Sequence, residues 1–273
     1  MPRTKRIQWS LAATGFAIAA LWLVPAIMSL YEALTENRML GPTDIVRVFT
    51  WSNFAQALQV SGLWRYFLNS LIVTFSAVVL VSLFASLSAF AISRLKFRGR
   101  MWVYAAMLMT LMIPQTALAI PIFFINQAFH LFNNYFGLIM PYTALGIPFS
   151  MVILKGFFDQ FPREVEEAAL IDGAGALRIF AQILFPNSLS SVSIVVIWTF
   201  MQSWNEFLFA MLFMTDNSMK TLALAPIVFQ NAYQSHEGAL MAFLVLNSLP
   251  IIVAYLALQQ YFERGLTSGA IKG

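Results

Sequence analysis

Thr199, Gln202, Ser203 and Glu206 recur at i, i+3, i+4 and i+7 within an otherwise apolar run, a spacing that sets four polar side chains on one face of a helix. Lipid would leave these groups unsatisfied, so the stripe predicts a hydrated path or a polar contact between helices. Glu206 is the only formally charged residue well inside a predicted span, and an ionisable group at that depth is a functional candidate by default. Its two readings stay open. Ser, Thr and Gln also join helices, and Glu206 lies about two turns from the outer end of its span. Asn126, Gln127, Tyr142, Asn205, Asn247 and Ser248 are further candidates for a polar cavity.

Catalysis is not expected. The chain has no Cys, which removes disulfides and thiolate nucleophiles, and its two histidines, His130 and His236, lie at predicted helix ends. Neither His-Glu-x-x-His nor Gly-x-Ser-x-Gly occurs, Glu206 has no evident charged partner, and no metal site is predicted. There is also no Gly-x-x-x-x-Gly-Lys-Ser/Thr loop, so the chain itself should bind no nucleotide.

The elements that must hold the polar stripe follow from composition. At 60% hydrophobic and 10% charged residues over 273 positions, the chain is far from a soluble domain and reads as an all-α polytopic membrane protein. Six spans are predicted, at about 11–31, 66–92, 101–128, 137–157, 188–214 and 238–261, within a single transmembrane domain. A short amphipathic helix is expected around Trp51 to Leu58, and Pro114, Pro121, Pro141, Pro148 and Pro250 are expected to bend their helices. Thr221 to Phe229 is apolar for a loop, which predicts a buried segment or a partner surface. Of the 16 Lys and Arg, only Arg38, Arg47, Arg65 and Lys220 fall outside by this topology. The excess on the other side places both termini in the cytoplasm. It also makes the pI near 9.5 a matter of topology, with no gathered basic surface for nucleic acid.

One comparatively polar stretch interrupts the apolar runs. Pro162 suits a first helical position, Glu164, Glu166 and Glu167 suit the positive end of a helix dipole, and Gly173 supplies a stop. Val165, Ala168, Ala169 and Asp172 share a face on which the small Ala pair permits close approach to another backbone. After the Gly173-x-Gly175 turn, Leu177, Phe180 and Leu184 line a second amphipathic segment. The stretch 162–185 therefore reads as a helix-turn-helix elbow on the cytoplasmic side.

The pattern Glu167-Ala168-Ala169, three residues, Gly173, nine residues, Ile183-x-Phe185-Pro186 resembles the EAA loop of ABC-importer permeases, with Phe185 where that family usually has Leu. The segments Ala89 to Arg100, Trp204-Asn205-Glu206-Phe207 and Gln260 to Gly273 are similar to the carbohydrate-import subfamily, and to the shorter permease of a maltose-type pair. The resemblance implies a type I importer permease in a bacterial inner membrane, importing a sugar or oligosaccharide. Its partners would be a second, unlike permease, two ATPase subunits that hold the ATP and Mg, an extracytoplasmic sugar-binding protein, and lipid. It implies that Glu166, Glu167, Ala168, Ala169, Asp172, Gly173 and Gly175 form a coupling helix docked on an ATPase. It also implies that Gly265, Leu266, Thr267 and Lys272, in a tail 262–273 that its own composition reads as disordered, reach the ATPase dimer. The nearest alternative, an ion-coupled secondary transporter, would leave a cytosolic docking elbow without purpose; an intramembrane enzyme is more remote.

Since the chain has no Cys, topology can be read from introduced ones. In intact cells a membrane-impermeant maleimide should label Asn217→Cys and spare Asp172→Cys. Labelling of Asp172→Cys from outside would reverse the orientation.

Overall fold

The computed structural model describes residues 2–39, 45–231, 234–235 and 237–270. The chain forms two compact units, one of residues 1–63 with 225–249 and the other of residues 64–224 with 250–273.

The first unit begins with α1 (Pro2–Ala33), whose stretch Leu11–Ala33 is long and apolar enough to cross a membrane. An antiparallel hairpin follows, β1 (Thr35–Met39) with β2 (Ile45–Phe49), in a register that sets Thr35 opposite Phe49 and Met39 opposite Ile45. The hairpin is a local feature of a chain that is otherwise mostly helical, as the all-α reading expects. Two five-residue strands joined by few residues leave almost no periodic signal, and an isolated hairpin of that size needs neighbours to persist. The neighbour is α2 (Ser52–Leu58), the expected amphipathic helix. Its buried Asn53 donates from Nδ2 to the carbonyls of Ala33 at 3.1 Å and Thr35 at 2.9 Å. One amide thereby satisfies the carbonyls freed where α1 ends.

The second unit is built on α3 (Leu63–Arg94), which leads through Gly99 to α4 (Arg100–Thr110). A short 3-10 turn at Gln115–Leu118 and then α5 (Ala119–Ala128) complete the third apolar run. That run is not the single helix expected over 101–128. It turns by 99° between Thr110 and Gln115, where Pro114 lacks the N–H that would continue the ladder. Pro141 and Pro148, by contrast, lie inside α6 (Phe136–Gln160), which is assigned as one helix throughout.

The elbow consists of α7 (Arg163–Ile171), α8 (Ala176–Ile179), a π turn at Phe180–Leu184 and the single turn α9 (Phe185–Asn187). Pro162 stands one residue outside α7 rather than at its first position, and Gly173 takes φ 81°, the left-handed turn that ends the helix. The π turn alters the expected face. Ile179, Phe180 and Leu184 are buried, whereas Leu177 is 73% exposed.

The fifth run is also broken. It bends by 77° at Ser188, continues as α10 (Leu189–Trp204), opens at Asn205–Phe207 and resumes as α11 (Leu208–Phe213). Beyond it come a 3-10 stretch, Leu222–Phe229, and a two-residue ladder of β3 (Gln230–Asn231) with β4 (Gln234–Ser235). Thr221, Leu222 and Leu224 are buried, so the apolar loop is packed rather than free. The last helix, α12 (Glu237–Ala270), carries the helical backbone through residues 262–270, which composition had suggested would be irregular. Lys272 lies outside the described residues. Among the described residues four helices are long and apolar enough to span a membrane, or up to six if each bent pair counts as one span.

Within the second unit, small residues let the helices meet. Val81, Ala85 and Ala89 of α3 pack with Met151, Leu154 and Phe158 of α6 and with Val192 and Val195 of α10. A Cβ on Gly146 would lie 2.9 Å from the Val81 side chain. At the other end of α3, Asn69 donates to the carbonyls of Ser218 at 3.0 Å and Lys220 at 2.8 Å and accepts from the Tyr135 hydroxyl at 2.8 Å. Ser70 Oγ accepts the Leu222 N–H at 2.7 Å. Two adjacent side chains thus hold the loop that follows α11.

Asn69→Ala would strand two carbonyls and the tyrosine, at a cost of about 1–3 kcal/mol. A lower melting temperature with faster tryptic cleavage after Lys220 is expected, and unchanged proteolysis would contradict the assignment.

Candidate functional site

The elbow is held from one side. At the last turn of α3, Arg94 sends Nε to both oxygens of Glu166 at 2.7 and 2.8 Å, and its Nη2 lies 2.7 Å from Oε1. The same Nη2 donates to the Phe158 carbonyl and reaches the Phe161 carbonyl at 3.5 Å, where α6 ends. Both side chains are nearly out of solvent, 9% and 11% exposed. One guanidinium fork therefore binds three elements together, a task suited to the planar donor set of Arg and not to Lys. Sequence reading touched Arg94 only as part of the segment Ala89 to Arg100. Glu166 lies 72 residues away, and no local spacing connects them.

The remaining elbow residues divide by face. Ala169 packs inward with Glu166, three residues before it on α7. Glu167, Ala168, Asp172, Gly173 and Gly175 are exposed, as are the apolar Val165 (46%), Leu170 (57%) and Ile171 (87%). Of the expected shared face of Val165, Ala168, Ala169 and Asp172, only Ala169 is half-buried and the other three are exposed. A cleft of about 190 Å³ lies beside the turn, lined by Ala169, Asp172, Ala174, Arg178, Gln182 and Ile183. Gly265, Leu266 and Thr267 fall on the helical backbone of α12.

The polar stripe opens onto a second cavity, of about 160 Å³, lined by Thr199, Gln202, Ser203 and Glu206 together with Gln115, Tyr142, Phe149 and Trp198. Glu206 does not continue the helix. It stands in the break after α10, where Oε1 accepts the Phe209 N–H at 2.9 Å and Oε2 accepts the Ala210 N–H at 3.1 Å and the Tyr142 hydroxyl at 2.6 Å. Its carboxylate replaces the backbone acceptors that the break removes, which is why irregular backbone is tolerated there. All three partners donate to it. Glu206 is both a structural cap and a wall of the cavity.

Other stripe candidates lie elsewhere. Asn205 is exposed and donates to the Met201 carbonyl at 3.0 Å. Asn126 is buried in the last turns of α5 and donates to the Gly137 carbonyl of α6 at 3.0 Å. Asn247 belongs to the other unit. Gln115, Phe149 and Trp198 were not foreseen from sequence, because the first sits at a helix break and the other two are indistinguishable from lipid-facing aromatics.

Residues 82–268 match the family described as binding-protein-dependent transport system inner membrane component. The chain belongs to that family. The diacetylchitobiose uptake system permease protein NgcG of Streptomyces coelicolor is 33% identical over 269 residues, covering 96% of this chain and 89% of that one. The trehalose/maltose transport system permease protein MalG of Thermococcus litoralis is 32% identical over 273 residues, covering 98% of each. Among solved structures, a chain of a bacterial ABC transporter that imports the acidic polysaccharide alginate superposes with a TM-score of 0.79 at 23% identity, covering 95% of this chain and 98% of that one. That likeness establishes the shared fold. Membership makes this chain a multi-pass membrane permease, a transport component rather than an enzyme.

Removing one partner of a buried ion pair costs about 3–5 kcal/mol, because the other charge is left unpaired. Arg94→Ala or Glu166→Ala in this permease should therefore lower the melting temperature sharply. Arg94→Lys should fall between them and wild type, losing the second arm of the fork. Equal melting of all four proteins would refute the anchoring role.

Proposed function

We propose that this chain is the permease subunit of a binding-protein-dependent ABC importer that moves a sugar or oligosaccharide across a bacterial cytoplasmic membrane. The related permeases named for diacetylchitobiose and for trehalose and maltose, each similar over nearly the whole chain, support the substrate class. A second permease of different sequence completes the pathway, and an extracytoplasmic binding protein delivers the sugar. Two ATPase subunits hold ATP and Mg and perform the hydrolysis. Both termini and the elbow face the cytoplasm.

The observation that carries the mechanism is the one-sided anchoring of α7. Its inner face is bound through Glu166 to α3 and α6, while its outer face, with Glu167, Ala168, Val165 and Ile171, is left exposed. A docked ATPase that closes on nucleotide binding would draw α7 with it, and the Arg94 fork would carry that displacement into two spanning helices at once. Such coupling needs two global states with different contacts, and the exposed apolar face offers contacts outside the substrate path. Ala169, Asp172, Gly173 and Gly175 shape the turn at which the partner would seat. Gly265, Leu266, Thr267 and Lys272 are assigned to a further ATPase contact.

Gly173→Pro and Glu167→Lys should leave membrane insertion and complex assembly intact but reduce ATP-dependent uptake in proteoliposomes to background. Gly173 occupies φ 81°, which proline cannot adopt, and Glu167 is exposed. Normal uptake by both variants, or uptake by this chain without any ATPase, would overturn the proposal.

A further inference from the structure

The loop between α3 and α4 gathers positive charge that the helices carrying it do not neutralise. Arg94, Lys96, Arg98 and Arg100 stand at alternate positions around it. Arg94 is withdrawn into the ion pair with Glu166. Lys96, Arg98 and Arg100 make no ion pair with any described residue, and Lys96 and Arg98 are exposed. No Asp or Glu occurs from Ile45 to Phe158, so neither α3 nor α4 brings an acid to the loop. Apolar side chains are interleaved with these cations. Leu95, Phe97 and Met101 are exposed, and Trp102, in the first turn of α4, is 80% exposed.

The place of the loop decides what this mixture faces. α3 is long and apolar enough to be a span, as is the bent pair that begins with α4, and only residues 95–99 separate them. A loop of that length extends no more than about 10 Å beyond the helix ends. The headgroup layer is about 5–8 Å deep on each face of a bilayer, so the cations lie near phosphate level. Lys and Arg reach phosphate from there while their stems cover acyl chain, and Trp favours the same depth. The N-terminus of α4 adds to the attraction, because its cap is Gly99 and no side chain takes its first N–H groups. From these features we infer that the α3–α4 loop and the first turn of α4 bind an anionic phospholipid. Lys96, Arg98 and Arg100 take its phosphate, and Phe97, Met101 and Trp102 lie against its acyl chains. The apolar side chains set among the cations favour lipid over a soluble partner. The inference rests on the chain lying in a membrane and not on what it transports. Such a lipid would steady the end of α3 from which Arg94 holds the elbow.

The test is native mass spectrometry of the full-length chain released from nanodiscs of equal parts phosphatidylglycerol and phosphatidylcholine. Retained phosphatidylglycerol should exceed phosphatidylcholine at least about tenfold, since each cation near an anionic surface is worth roughly a factor of five. The triple variant Lys96→Gln, Arg98→Gln, Arg100→Gln should bring that ratio below about threefold. Lys96→Gln alone, at an exposed position with no ion pair to break, should move it in the same direction and answers for any misfolding of the triple variant. Arg163→Gln with Arg178→Gln, which removes two exposed cations from the elbow, should leave the ratio unchanged. Equal retention of the two lipids by wild type, an unchanged ratio in Lys96→Gln and the triple variant, or an equal loss in the elbow variant would each overturn the inference. A triple variant that keeps its lipid preference but no longer co-purifies with ATPase subunits would assign the loop to a protein partner instead.

Discussion

The structure of the second unit depends on a charge pair that has been taken almost entirely out of water. Desolvating Arg94 and Glu166 is costly, and it is offset by the several short bonds that Nε and Nη2 make to the carboxylate and by the reach of Nη2 to carbonyls at the end of α6, while Nη1 has no partner among the described residues. Geometry of that kind has little tolerance for sliding. The coupling helix is therefore fixed in position relative to α3 and α6 without any contribution from its own outer face, which is the face available to a partner.

A related economy governs the breaks in the spanning helices. Backbone groups freed inside a membrane must find partners within the protein. After α10 the partner is the Glu206 carboxylate; beyond α11 it is Asn69 with Ser70; between α5 and α6 it is Asn126. Each interruption is answered by one or two polar side chains contributed from nearby or from across the unit. The breaks at Pro114 and Glu206 also open space, and the cavity lies where those two interruptions and α6 come together.

These two arrangements give the permease a division of labour. The elbow end is closed by apolar packing around Phe158, Phe180 and Leu184 and locked by an ion pair, as suits a part that must transmit displacement. The cavity is lined by two amides, a carboxylate, hydroxyl-bearing residues and aromatic rings, together with Leu111, Leu145 and Gly146.

Much was legible in the chain before any coordinates. Span positions followed from the need to cover about 30 Å of hydrocarbon with apolar helix, and the elbow followed from its acidic first turn and Gly173. Those signals are local, carried within one turn or one span. What escaped were relations between distant residues: Arg94 with Glu166, Asn69 with the loop after α11, Tyr142 with Glu206. The hairpin of β1 and β2, the break at Glu206 and the π turn at Phe180–Leu184 escaped as well, since each depends on neighbours that complete the hydrogen bonding. Sequence by itself determined which stretches could lie in lipid and which could not, because water and hydrocarbon sort side chains one at a time. Only the tertiary structure decided which polar groups are occupied in holding the fold and which are left facing a cavity, because a hydrogen bond is a property of two residues and the chain distance between them carries no trace of it.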